Sequence, residues 1–141
     1  MATVRVLSDD NFQTTILAGN HEFMADEPAG IGDDVGPSPY EFVLAGLGAC
    51  TSMTLIMYAK RKAWPLDGVE IELSHGREYQ DDCENCEEPG HQIDIIHRSI
   101  TLHGQLNDEQ RERLSYVATR CPVHQTLTNP PQIVDMVAIS N

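Results

Sequence analysis

Ser38-Pro39-Tyr40-Glu41-Phe42-Val43-Leu44-Ala45-Gly46-Leu47-Gly48-Ala49-Cys50-Thr51-Ser52-Met53-Thr54-Leu55-Ile56-Met57-Tyr58-Ala59-Lys60-Arg61-Lys62 is the stretch that decides the fold. Serine before proline is an N-cap followed by the residue best suited to the first helical position. Trp64-Pro65 closes the segment, because proline disfavours helix in the residue before it. The stretch therefore predicts one long helix from about Pro39 to Ala63. From Phe42 to Ala59 it carries no charge, a length that would permit a membrane span. Gly46, Gly48, Thr51, Ser52 and Thr54 interrupt the apolar run, and the surrounding chain has soluble character, so the reading is a buried central helix with no membrane partner. The basic triplet at its end suits the negative end of the helix dipole and reads as a solvated terminus.

Upstream, residues 2–7, 12–18 and 21–25 are short, rich in Val, Thr, Ile and Phe, and separated by Asp9-Asp10-Asn11 and Gly19-Asn20. They predict an antiparallel three-strand start with Gly19-Asn20 as a hairpin turn. Residues 26–37 are Gly, Pro and Asp punctuation, hence a loop. Downstream, residues 68–75 and 92–103 alternate apolar with polar positions, as strands with one wet face do. Asn107 is placed to cap a helix over residues 108–119, with Gln110 completing a capping box and Leu114, Val117 and Ala118 as its apolar stripe. Cys121-Pro122 breaks that helix and can start another short one, and residues 132–139 read as a last strand. The order βββ-α-ββ-α-β makes the chain α+β, an antiparallel sheet packed around a long central helix. Its 141 residues suit a single domain, residues 1–141.

Twenty-two acidic against nine basic residues give a formal charge of −13, which disfavours nucleic acid and anionic membrane surfaces by repulsion. Ten of the acids, against one base, lie between residues 67 and 94. Met1-Ala2-Thr3-Val4-Arg5 lacks the basic-then-apolar run of a secretory signal, so the expected compartment is the cytoplasm. There, four cysteines are free thiols, metal ligands or redox groups rather than a disulfide framework.

Their settings differ. Cys121 precedes Pro122 at a helix start, where unpaired amides favour thiolate. Cys50 lies inside an apolar helix and reads by itself as a core residue, free cysteine being among the most buried types. Cys83-Glu84-Asn85-Cys86 is a CxxC in an acidic loop, with His75, His91, His97 and His103 nearby in sequence. Two zinc ligands, a redox pair and a plain surface loop are all open readings of it. His97 and His103 read as satisfied strand histidines, and Trp64 as core or interface packing.

Taken together, Gly36-Pro37-Ser38-Pro39 through Gly46-Leu47-Gly48-Ala49-Cys50-Thr51 and the later Arg120-Cys121-Pro122-Val123-His124 resemble the OsmC/Ohr family of thiol-dependent peroxidases. The predicted element order matches that family along almost the whole chain. The resemblance implies an intertwined homodimer with active sites at the subunit interface. It implies that Cys50 is peroxidatic, attacking an organic hydroperoxide to give a sulfenic acid, and that Cys121 resolves it to a disulfide which a dithiol reduces. No cofactor enters this scheme. The family's polarising glutamate falls on Tyr40, one residue before Glu41, and its arginine on Asp9-Asp10. Arg5 is the only arginine ahead of the helix, and a dimer partner could supply Arg61, Arg120 or His124 as the missing cation. The acidic CxxC loop resembles that of a less characterised branch. Two further readings keep the fold and change the role: a binding protein for a small apolar ligand with zinc on Cys83 and Cys86, or a redox sensor without turnover.

Overall fold

The computed structural model describes residues 1–79 and 92–140, so the Cys83/Cys86 loop and His91 lie outside the described residues. The chain forms two compact units, one of Met1–Gly46 with Leu73–His97 and one of Leu47–Glu72 with Arg98–Asn141.

In the first unit, β1 (Arg5–Ser8), β2 (Thr14–Ala18) and β3 (His21–Ala25) form an antiparallel sheet in that order. The register sets Val6 opposite Ile16 and Ile16 opposite Phe23, a cross-strand row of β-branched and aromatic side chains. Gly19 makes the β2–β3 turn with φ of +60°, the left-handed value that a first central glycine supplies without steric cost. The loop that follows is organised by Asp26, only 2% exposed. Its carboxylate accepts the amides of Glu27, Asp33 and Val35 at 2.8, 3.1 and 3.2 Å. Burial alone would raise the Asp26 pKa, but these three donors hold it below the usual carboxylate value.

Helix α1 (Pro39–Lys62) begins where the serine-proline pair places it. Ser38 accepts the Phe42 amide at 3.2 Å, and its own amide donates to Glu41 Oε1 at 3.1 Å. The helix is less buried than its composition predicts. Leu47, Thr51, Leu55 and Ala59 form its one buried stripe at intervals of four, while Met53 and Met57 are 66% and 59% exposed. A helix buries a row at that spacing when it packs one face only. Its end is a Schellman motif: Trp64 donates to Ala59 and Ala63 to Lys60, with Ala63 at φ of +56°.

In the second unit, the core gathers Leu55, Leu106, Leu114, Val117 and Ala118, flanked by Tyr58, Trp64, Leu66, Val69, Ile100 and Leu102. Strands β4 (Gly68–Tyr79) and β5 (Gln92–His103), each divided between the two units, pair as a separate two-stranded sheet. His97 and His103 meet Glu78 and Glu70 across it, at 2.8 and 3.5 Å, as satisfied strand histidines do. Gly104, at φ of +138°, lets the chain turn against Pro65, whose carbonyl would clash with any Cβ there. Helix α2 (Asp108–Ala118) carries the full capping box of Asn107 and Gln110 and buries Leu114, Val117 and Ala118. Helix α3 (Pro122–Thr128) follows, the short helix for which Cys121-Pro122 is the start.

The final strand expected over residues 132–139 does not form. Ile133, Val134, Met136, Val137 and Ile139 are instead 80–97% exposed. A strand needs a neighbour to pair its backbone groups, and among the described residues no strand pairs with this segment. The observed order is thus βββ-α-ββ-α-α, still α+β.

Candidate active site

Three elements of the second unit converge on one sulfur. Cys121 is the N-cap of α3, with extended dihedrals of −63° and 142°, so its side chain turns back over the first helical turn. Its Sγ accepts the His124 amide at 3.3 Å. Proline at the next position has no amide to leave unsatisfied there. Thr51, on the buried stripe of α1, brings its Oγ1 to 3.6 Å from the same sulfur. Arg98, on β5, donates Nη1 to Thr51 Oγ1 at 3.0 Å and Nη2 to His124 Nδ1 at 3.3 Å.

Cys121 is fully buried. Burial alone would raise its thiol, but the His124 amide, the Thr51 hydroxyl, the Cys50 thiol and the Arg98 charge outweigh it and hold the pKa below the ordinary thiol value. His124 is pushed below the usual imidazole value, first by burial and then by Arg98, and is neutral at pH 7. Since arginine has donors only, its bond to Nδ1 assigns the ring proton of His124 to Nε2.

Cys50 is half-buried, not the core residue its place in an apolar helix suggests. It sits one residue before Thr51, about 100° round the helix from the buried stripe. The two cysteines therefore differ in setting: Cys50 is half-buried, and Cys121 is buried among groups that stabilise its anion.

The other charged candidates are engaged elsewhere. Glu41 is the carboxylate of the α1 cap, held below its usual pKa by the backbone amide and side chain of Ser38. Arg5, Arg61 and Arg120 are exposed. His124 is at the site, bonded to Arg98. Arg98 itself was not among the sequence candidates, though the sequence held a signal. It occupies the parity of Ile96, Ile100 and Leu102 on β5, so a charged residue stands on the strand's apolar side. No cluster of three His, Cys, Asp or Glu side chains suited to a metal occurs among the described residues.

Several solved structures share this fold at low sequence identity. A Psychrobacter arcticus protein named for osmotic stress induction and a detoxification response superposes with a TM-score of 0.71 at 20% identity, over 89% of this chain and 88% of that one. The organic hydroperoxide resistance protein OsmC of Legionella pneumophila gives 0.65 at 15% identity, over 90% and 88%. OhrB of Bacillus subtilis, also an organic hydroperoxide resistance protein, gives 0.63 at 21% identity, over 92% of each chain. No curated protein matches the sequence. The family profile described as OsmC-like protein matches residues 32–134, which span both Cys50 and Cys121. The chain belongs to the OsmC-like family.

Proposed function

We propose that this protein is a thiol-dependent peroxidase that reduces organic hydroperoxides, with Cys50 as the peroxidatic and Cys121 as the resolving cysteine. The observation that carries the reading is the Cys121 cluster: a thiol held toward its anion by the His124 amide, Thr51 and Arg98, with the Cys50 thiol beside it. Half-buried Cys50, as thiolate, attacks the terminal oxygen of the hydroperoxide. The O–O bond breaks, Cys50 becomes a sulfenic acid, and the departing alkoxide takes a proton to leave as alcohol. Cys121 thiolate then attacks the Cys50 sulfur, forming the disulfide and expelling hydroxide. An external dithiol restores both thiols and is itself oxidised to a disulfide.

The protein works as a cytoplasmic homodimer on this reading. The apolar residues left exposed between Ile133 and Ile139 support a second copy as the covering surface. The fold shared with the two organic hydroperoxide resistance proteins supports the substrate class.

Non-reducing peptide mapping by mass spectrometry, before and after about one equivalent of an organic hydroperoxide, tests it. A Cys50–Cys121 linkage that dithiothreitol reverses is expected. Cys50→Ser should abolish both the linkage and hydroperoxide consumption. Wild-type protein that consumes no hydroperoxide and leaves both thiols reduced refutes the proposal.

A further inference from the structure

The groups that hold the Cys121 sulfur are themselves held by one side chain. Arg98 is half-buried, and among the described residues no carboxylate pairs with it. Its two described hydrogen-bond acceptors, Thr51 Oγ1 and His124 Nδ1, are neutral. A half-buried guanidinium whose described acceptors are both neutral favours an anion close by. We infer that Arg98 is the positioning residue that stabilises the Cys121 thiolate, by fixing Thr51 and His124 against its sulfur and supplying the opposite charge. The inference rests on the reading of Cys50 and Cys121 as a redox pair.

The Thr51 hydroxyl makes the coupling concrete. It has one proton and two places to donate it: Leu47 O, at 2.7 Å along the helix, and Cys121 Sγ, at 3.6 Å. When Cys121 is a thiol, its own proton can go to Thr51 Oγ1 while the hydroxyl points to Leu47. When Cys121 is a thiolate, the hydroxyl turns to the sulfur, and Arg98 Nη1 occupies the lone pair left on the oxygen. On the opposite side Arg98 Nη2 grips the His124 ring, in the helical turn whose amide donates to Sγ. The fork spans both anchors at once, and a lysine ammonium on its single stem would not. Among the described residues, the remaining titratable and charged groups facing Cys121 are the Cys50 thiol on α1 and the neutral His124 on α3.

The consequence is a bias in the redox equilibrium. When Cys121 thiolate attacks Cys50 sulfenic acid, the S–S bond forms, the S–O bond breaks, and hydroxide departs to become water on taking a solvent proton. The anion facing Arg98 is then gone. Reduction by a dithiol returns two electrons and restores it. Arg98 therefore stabilises the reduced form and raises the reduction potential of the pair, as groups that stabilise a thiolate do.

The test is the potential of the Cys50–Cys121 disulfide, read by peptide-resolved mass spectrometry after equilibration in glutathione buffers from about pH 5 to about pH 9. The peptide readout keeps Cys83 and Cys86 out of the measurement. In Arg98→Met the equilibrium constant for reduction should fall about tenfold at the alkaline end, about 30 mV. The curves should converge toward the acid end, as protonation of Cys121 removes the anion that Arg98 faces. Arg98→Lys, which keeps charge without the fork, should fall between. No offset, or an offset of equal size at every pH, overturns the inference, since the latter is what a purely structural loss produces. If Arg98→Met fails to fold, His124→Ala is read instead, with a smaller drop of the same pH dependence expected and none overturning the claim. A wild type that equilibrates with glutathione but forms no linkage under hydroperoxide sinks the peroxidase reading alone, and the potentials still decide the role of Arg98.

Discussion

Replacing Thr51 by Val removes a hydroxyl that meets two partners at the site, and the stability cost should depend on pH. Thr51 is fully buried, and valine fills nearly its volume, so little of the loss is packing. Leu47 O retains its helical amide. What is lost is the acceptor for Arg98 Nη1 at 3.0 Å and the contact to Cys121 Sγ at 3.6 Å. Hydrogen bonds to charged groups contribute about 1.5–3 kcal/mol each; the half-exposed guanidinium can recruit water and the sulfur contact is long, so both fall at or below the lower end. We expect about 1 kcal/mol from the Arg98 bond at any pH, and about 1 kcal/mol more once Cys121 is ionised. The sign follows from proton linkage. The folded Cys121 pKa lies below the unfolded value near 9.0, so in the interval between them the unfolded chain binds the additional proton and stability rises with pH. That contribution is fully present above the unfolded pKa and is lost as pH falls through the folded one. Thr51→Val weakens one of its causes, so the gap between wild type and variant should widen across the interval. Urea denaturation of the fully reduced proteins, at one fixed chain concentration and at about pH 6 and about pH 9, measures this. A gap that does not change with pH would mean that the Thr51 hydroxyl does not hold the thiolate.

Two predictions concern the scaffold that positions the site. Ala63 occupies the left-handed position of the α1 Schellman motif at φ of +56°, so Ala63→Gly should stabilise the protein by about 1 kcal/mol in the same urea assay. Leu114 is fully buried in the second unit's core, so Leu114→Ala should destabilise by about 3–5 kcal/mol, and a loss under 1 kcal/mol would show that the core is not packed around it.

Where a feature depended on neighbours in the chain, the residues were enough to read it. The serine-proline start of α1, the glycine turn between β2 and β3 and the capping box of α2 each depend on residues no more than a few positions apart. The same holds for the N-cap position of Cys121, since a Cys-Pro pair defines it locally. Residues 132–139 failed for the opposite reason: their alternation gives them a strand's pattern, and a strand forms only beside a partner. Burial along α1 is also beyond local reading, because a helix apolar on most faces does not say which stripe packs: its position alone suggests the core for Cys50, and the neighbouring Thr51 occupies it.

The sequence by itself determined the α+β class, the limits of the long helix and the two cysteines worth examining, because periodicity, capping and proline chemistry act over short spans. Only the tertiary structure decided which groups surround those cysteines. Arg98 lies 47 residues from Thr51 and 26 from His124, and no local rule joins them. It is the pairing of β5 within the fold that carries a guanidinium to a buried thiol, and the electrostatics of a buried sulfur depend on what lies within a few ångströms of it rather than on what precedes it in the chain.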